Sequence, residues 1–177
     1  IENNISVIGL TNYFYITENE YNQVVDNLNS DCYVIPNIEF RASDKNKKGD
    51  HINFHILFNP NIGINKINIS LSKVNLHNYS NKYCCENDIT EIGIDTVCID
   101  FEKLLDQLNK DFKMIKDFII ICPFHGHGGF RNDEKPRNTD TEKKYDYFTH
   151  AIFGNNNVKD YFLEDRIYNI SENETVI

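Results

Sequence analysis

Positive charge is in short supply. The chain carries 18 Lys and Arg against 27 Asp and Glu, a formal net charge of −9. That balance excludes a protein that coats nucleic acid by electrostatics alone, because such a protein needs a basic surface. It does not exclude a centre where bound cations reverse the local sign. Long apolar runs are also missing. A membrane span needs roughly 18 consecutive apolar residues, and the longest run here, Phe118-Ile119-Ile120-Ile121-Cys122, suits a buried strand. There is no CxxC, and an odd set of cysteines (Cys32, Cys84, Cys85, Cys98, Cys122) cannot all pair within one chain. Reduced thiols in a cytoplasmic protein are the expectation. No GxxxxGK[ST], dinucleotide fingerprint or GxSxG elbow occurs, which removes Walker-type, Rossmann-type and elbow-serine chemistry.

What is present is a core-forming composition, with 40% apolar residues in 177. That is enough to exclude wholesale disorder, and the length fits one domain over residues 1–177. Asn and Ile are over-represented, at 26 and 24 residues. Such a bias reflects base composition more than function, so Asn alone is not read as a turn or capping signal. The chain opens Ile1-Glu2-Asn3-Asn4, with neither an initiator Met nor a basic leader, and reads as a segment of a longer polypeptide.

Periodicity predicts alternating elements. Residues 5–10 read as a short buried strand. Residues 17–29 read as a helix with Tyr21, Val24, Val25 and Leu28 on one face, and Thr17 with Glu20 forms a capping box. Residues 33–42 and 51–58 read as strands joined by a charged turn over 43–50. Residues 65–74 fit either a strand or a helix, and 79–88 are irregular. Residues 100–112 form an amphipathic helix with Phe101, Leu104, Leu105, Leu108 and Phe112 on one stripe. A buried strand over 117–123 leads into the Gly-rich segment Phe124-His125-Gly126-His127-Gly128-Gly129-Phe130. A charged loop from 131 runs into a helix near 144, followed by a strand at 150–153 and a helix at 156–165. Together these predict an α/β fold with a largely parallel sheet, in which functional residues gather at the carboxyl ends of strands.

The two consecutive strands carry the first chemical signal. Side chains two apart share a face. Ile52, Phe54, Ile56 and Phe58 form one face, and His51, Asn53, His55 and Leu57 the other. Val34, Pro36, Ile38 and Phe40 likewise stand opposite Ile35, Asn37, Glu39 and Arg41. Glu39, His51 and His55 therefore make a candidate carboxylate–imidazole cluster, with N/O donors suited to Zn²⁺, Mn²⁺ or Fe²⁺. The same alternation also fits the solvent face of an ordinary antiparallel hairpin. The second signal is His125 and His127, set among glycines directly after the most buried strand. Two imidazoles one residue apart can ligate one metal or two, and Arg131 beyond them can pair with phosphate. The same stretch also fits an exposed loop.

The series Thr11-Asn12-Tyr13, then Ile35-Pro36-Asn37-Ile38-Glu39-Phe40, then His51-Ile52-Asn53-Phe54-His55-Ile56-Leu57-Phe58, then Phe124-His125-Gly126, resembles the PHP (polymerase and histidinol phosphatase) superfamily. It is most similar to the divergent PHP domains joined to SMC-like ATPases in bacterial DNA-repair and anti-phage defence proteins. The resemblance spans residues 5–165 and lies more in motif order than in any single motif. It implies a distorted (β/α) barrel, incomplete in this chain, with divalent metal ions (Zn, Mn or Mg) at the strand ends. It implies a metal-dependent phosphoesterase or nuclease acting on phosphate esters or nucleic acid, in the cytoplasm, with an SMC-like ATPase region in the same polypeptide and no membrane partner. Glu39 falls on the family's metal-bridging glutamate, and His55 and His125 on histidine ligands. His51 and His127 are additional metal candidates, and Arg41 and Arg131 the candidates for stabilising charge on phosphate. Asn12-Tyr13 stands where the family has Asp-His. That departure implies the alternative of a catalytically degenerate scaffold or partner-binding module that regulates an attached ATPase.

Overall fold

The computed structural model describes residues 5–28, 32–46, 49–123, 129 and 140–153. Its strands are β1 (Val7–Tyr13), β2 (Tyr33–Lys45), β3 (His51–Phe58), β4 (Phe118–Pro123) and β5 (Ala151–Phe153). The α-helices are α1 (Glu18–Asn27), α2 (Ile64–Leu71), α3 (Glu86–Ile92), α4 (Phe101–Asp111) and α5 (Asp140–Phe148). The strands form one sheet in the order β1-β2-β3-β4-β5. The fold is thus mixed α/β.

The sheet corrects the expectation of largely parallel pairing. β1 pairs parallel with β2, and β4 parallel with β5, but β3 runs antiparallel to both its neighbours. The reason is the link between β2 and β3. It is too short for a crossover, so the chain must turn back on itself. Asn46 closes that turn: its backbone N–H donates to the Asp50 carbonyl (2.8 Å), and its side-chain oxygen accepts from the Asp50 N–H (3.0 Å). Gly49 sits at φ +86°, a conformation that suits glycine. Among the described residues the sheet is open, not closed into a barrel.

The helices cover one face of this sheet. Val34, Ile38, Phe40 and Ala42 of β2, and Ile52, Phe54, Ile56 and Phe58 of β3, are all buried there. Their alternation is what a sheet with one covered face requires. Ile64, Ile67 and Leu71 of α2 pack onto them, as do Phe101, Leu104, Leu105 and Leu108 of α4. An aromatic chain runs through the layer. Phe14 meets Phe40 edge-on at 5.8 Å, Phe40 stacks on Phe54 at 5.4 Å, and Phe54 meets Phe101 edge-on at 4.9 Å. Tyr145 of α5 stacks on Phe101 at 4.1 Å. Its hydroxyl donates to Asp44 (3.0 Å), which satisfies the one polar atom of a buried ring.

The ambiguous stretch at 65–74 resolves as the helix α2, since Ile64, Ile67 and Leu71 recur at helical spacing on the buried side. α3 was not anticipated; it begins inside the stretch read as irregular. α1 begins where its cap predicts, with Thr17 Oγ1 accepting from the Glu20 N–H (3.3 Å). None of its residues is fully buried, however, because it packs at the margin of the sheet. The helix predicted at 156–165 lies outside the described residues. No described helix is long and apolar enough to cross a membrane.

Candidate metal centre on the open sheet face

The sheet register places one row of side chains straight across the molecule. Tyr13 of β1 opposes Glu39 of β2, Glu39 opposes His55 of β3, and His55 opposes Ile121 of β4. Residues opposed in register project from the same face. Here that face is the one the helices leave open. The next row carries Thr11, Asn37, Leu57 and Ile119. Tyr13, Glu39 and His55 are thus neighbours by pairing, although β1 and β2 are separated by a helix in the sequence.

Hydrogen bonds between the rows fix the central pair. Asn37 Nδ2 donates to Thr11 Oγ1 (2.7 Å), which leaves Asn37 Oδ1 facing His55 Nδ1 at 3.1 Å. An amide oxygen only accepts, so Nδ1 carries the proton and the Nε2 lone pair is free. Nε2 lies 3.9 Å from Glu39 Oε2, too far for a hydrogen bond. The other carboxylate oxygen, Glu39 Oε1, accepts from Asn53 Nδ2 at 3.0 Å. Glu39 and His55 are each 15% exposed, partly shielded but reachable from solvent. The Phe153 ring meets His55 edge-on at 5.3 Å.

The electrostatics follow from this packing. Burial pushes the His55 pKa below its ordinary value of 6.5, and the Glu39 charge offsets part of that shift. His55 is therefore neutral at pH 7, and the pair is not an ion pair there. Tyr13 is shifted the other way. The Glu39 charge raises its phenol pKa most, followed by partial burial.

Phe14 explains how Tyr13 reaches this face. It sits at φ +64°, a rare conformation for a bulky residue. Its N–H donates to the Glu39 carbonyl (3.0 Å), and the Tyr15 N–H turns back to the Tyr13 carbonyl (2.8 Å). The sharp turn sends the Phe14 ring into the core, where it is 0% exposed, and leaves Tyr13 on the open side. Such backbone strain costs about 1–3 kcal/mol. Burial of a whole aromatic ring is of the size needed to offset it.

The structure brings Glu39 and His55 together and places the other described candidates elsewhere. His51 is four residues from His55 along β3, roughly 13 Å at the usual strand rise. Its Nδ1 donates to the Ala42 carbonyl (2.8 Å), and the Cys98 sulfur lies 3.6 Å from the same nitrogen. Arg41 shares the open face, but its Nη1 donates to the carbonyls of Ile94 (3.0 Å), Asp95 (2.9 Å) and Val97 (3.3 Å). It clamps a loop. His125, His127 and Arg131 lie outside the described residues. Among the described residues, no three His, Cys, Asp or Glu side chains converge as a metal-binding group.

Asn37 and Asn53 carry no assigned role in the sequence reading, and Thr11 and Tyr13 enter it only through the Thr11-Asn12-Tyr13 motif. Alternation already placed Asn37 and Asn53 on the polar face, but the general excess of Asn masked them. Tyr13 could be joined to Glu39 only through the β1–β2 register. No family model, curated protein or solved structure matches this chain.

Proposed function

We propose that the open sheet face is part of a PHP-like, metal-dependent phosphoesterase or nuclease centre. The observation that carries this reading is the orientation of His55. Asn37 holds the proton on Nδ1, so the free Nε2 lone pair stands 3.9 Å from a carboxylate oxygen it does not hydrogen-bond. An imidazole held from behind in this way, next to a carboxylate, has the form of an oriented ligand pair. The borderline nitrogen and hard oxygen suit Zn²⁺ or Mn²⁺, and less well Mg²⁺. When bound, such an ion lowers the pKa of a coordinated water and polarises a phosphoryl oxygen.

The chain's own residues then have separate tasks. Glu39 and His55 hold the ion, and Asn37 and Asn53 keep them in position. In this reading His125 and His127 complete the ligand set, Arg131 pairs with phosphate, and the open face admits a phosphate ester or nucleic acid strand. The resemblance further implies a domain of a cytoplasmic DNA-repair or anti-phage defence protein, attached to an SMC-like ATPase. Metal content and hydrolysis of phosphodiester substrates, measured on the full-length protein with Glu39→Gln and His55→Ala, test the assignment. Loss of metal and activity in both variants is expected; unchanged values in both would overturn it.

A second reading has its own observation. Asn53 Nδ2 donates to the Glu39 carboxylate, so the carboxylate has a partner without any cation. That suits a degenerate PHP-like module that binds a partner or regulates an attached ATPase. Purified full-length protein free of metal, whose ATPase rate changes when this domain is deleted, would favour it.

A further inference from the structure

We infer that the free edge of β1 takes an extended, basic segment of a partner protein as a sixth strand. The inference stands apart from the metal-centre reading above. Among the described residues, β1 ends the sheet and pairs only with β2. At the two ends of that pairing, the Tyr33 N–H donates to the Ser6 carbonyl (2.8 Å) and the Phe14 N–H to the Glu39 carbonyl (3.0 Å). Backbone direction alternates along a strand. Even-numbered residues therefore bond to β2, and Val7, Gly9, Thr11 and Tyr13 turn their N–H groups outward. On that edge only the Tyr13 carbonyl has a partner among the described residues, the Tyr15 N–H (2.8 Å). Edge strands are ordinarily blunted by charge, proline or a bulge. β1 has none of these. Its sequence, Val7-Ile8-Gly9-Leu10-Thr11-Asn12-Tyr13, is uncharged and free of proline, and its register with β2 is unbroken.

The flanks of the edge select the occupant. On the open face, Val7 and Tyr33 oppose each other in register, and both are more than half exposed. Gly9 leaves bare backbone beside them, where an added Cβ meets nothing closer than 3.8 Å. Apolar side chains fit against this side. On the helix face, the Glu20 carboxylate of α1 accepts from Asn12 Nδ2 of β1 (3.3 Å). Glu18, Glu20 and Asp26 of α1 are all exposed, and the helix has no Lys or Arg. Side chains of an added strand alternate between the two faces. The matching segment thus alternates apolar residues with Lys or Arg, with main-chain hydrogen bonds supplying affinity and the side chains specificity. A second copy of this chain is the poorer match. Antiparallel pairing of β1 with itself brings two acidic α1 helices to one seam, and like charges set against each other are costly.

The test is hydrogen exchange and calorimetry on the full-length protein, with a synthetic peptide as long as β1 that alternates Lys and Val. Val7, Gly9 and Thr11 amides should exchange fast in the free protein and slow down when the peptide binds. A peptide with Glu in place of Lys should bind on the order of 10-fold more weakly. N-methylation of one alternate set of peptide amides should abolish binding, and of the other set leave it intact, because one edge of the peptide meets β1. Gly9→Pro removes an outward N–H that β2 does not use, so it should weaken binding on the order of 10-fold with unchanged circular dichroism. Glu20→Lys should weaken it by roughly 3-fold, less at high salt. Equal affinity for the Glu peptide, or binding indifferent to which set is N-methylated, overturns the inference. So do outward amides that already exchange slowly in the free protein, since its own chain then fills the edge. Protection that grows with protein concentration in the absence of peptide marks a second copy and overturns it as well.

Discussion

Arg41→Met separates a structural role for the guanidinium from a chemical one. Nη1 faces three carbonyls, those of Ile94, Asp95 and Val97, at 2.9–3.3 Å. The backbone reinforces the clamp, because the Ile99 N–H donates to the Arg41 carbonyl (2.9 Å) and the Ser43 N–H to the Ile99 carbonyl (2.8 Å). The loop so held carries Val97 and Ile99, both 0% exposed, so loosening it disturbs the core. A hydrogen bond from a charged donor contributes about 1.5–3 kcal/mol. One nitrogen with two hydrogens cannot make three full bonds, and carbonyls near the surface recover water once the side chain is gone. The net loss is therefore about 2 kcal/mol, or roughly 4–8 °C in Tm for a domain of this size. Urea and thermal unfolding followed by circular dichroism measure it. Arg41→Lys should restore only part of the loss, since an ammonium lacks the planar fork. An Arg41→Met protein with an unchanged midpoint but abolished phosphodiester hydrolysis would refute the reasoning and return Arg41 to the chemistry.

Three further outcomes follow from the same structure. Phe54 is fully buried and packs on Phe40, Phe101 and Tyr145, so Phe54→Ala should cost about 3–5 kcal/mol in urea unfolding; a loss under 1 kcal/mol would contradict its place in the core. His55 and His150 both have pKa values pushed below 6.5 by burial. The unfolded chain then binds more protons than the folded one, so stability is intact above about pH 6.5 and falls as pH drops toward the folded values. His55→Gln should flatten part of that slope, and a wild-type profile level from pH 7 to 5 would argue against both shifts. Finally, the Glu39 charge raises the His55 pKa against burial. Glu39→Gln should therefore lower it further, and an upward shift in an NMR titration would mean that Glu39 is not its electrostatic neighbour.

Much of the fold was legible because alternation is a local property. β3 reads directly from His51-Ile52-Asn53-Phe54-His55-Ile56-Leu57-Phe58, since one face of that strand must meet the core and the other must not. α4 reads equally well from its stripe of Phe101, Leu104, Leu105 and Leu108. Strand direction was harder, because it depends on what the link between strands can span. The compact, Asn46-closed turn was visible as a turn, yet alternating elements elsewhere suggested parallel pairing. The site divides along the same line. Glu39 and His55 were legible together, because both lie on the polar faces of consecutive strands. Arg41 shares that face but is drawn to carbonyls 53–56 residues away in sequence, a contact no local pattern encodes. Tyr13 joins Glu39 only through a parallel register set across α1.

The core and the candidate site are two sides of one register. Phe54 and His55 are sequence neighbours, one at the centre of the aromatic chain and the other at the centre of the open face. Phe40 and Glu39 stand in the same relation on β2. A slip of one residue between β2 and β3 would turn Phe54 to solvent and His55 into the core, at a cost set by the rings and not by the polar groups. The Phe40–Phe54 stack therefore holds Glu39 opposite His55 whether or not anything occupies the gap between them. This makes the 3.9 Å separation a property of the scaffold. It also explains why the carboxylate and imidazole stay apart without a hydrogen bond. His55 spends its proton on Asn37, and the sheet pairing keeps the two side chains facing across a fixed space that a cation can fill.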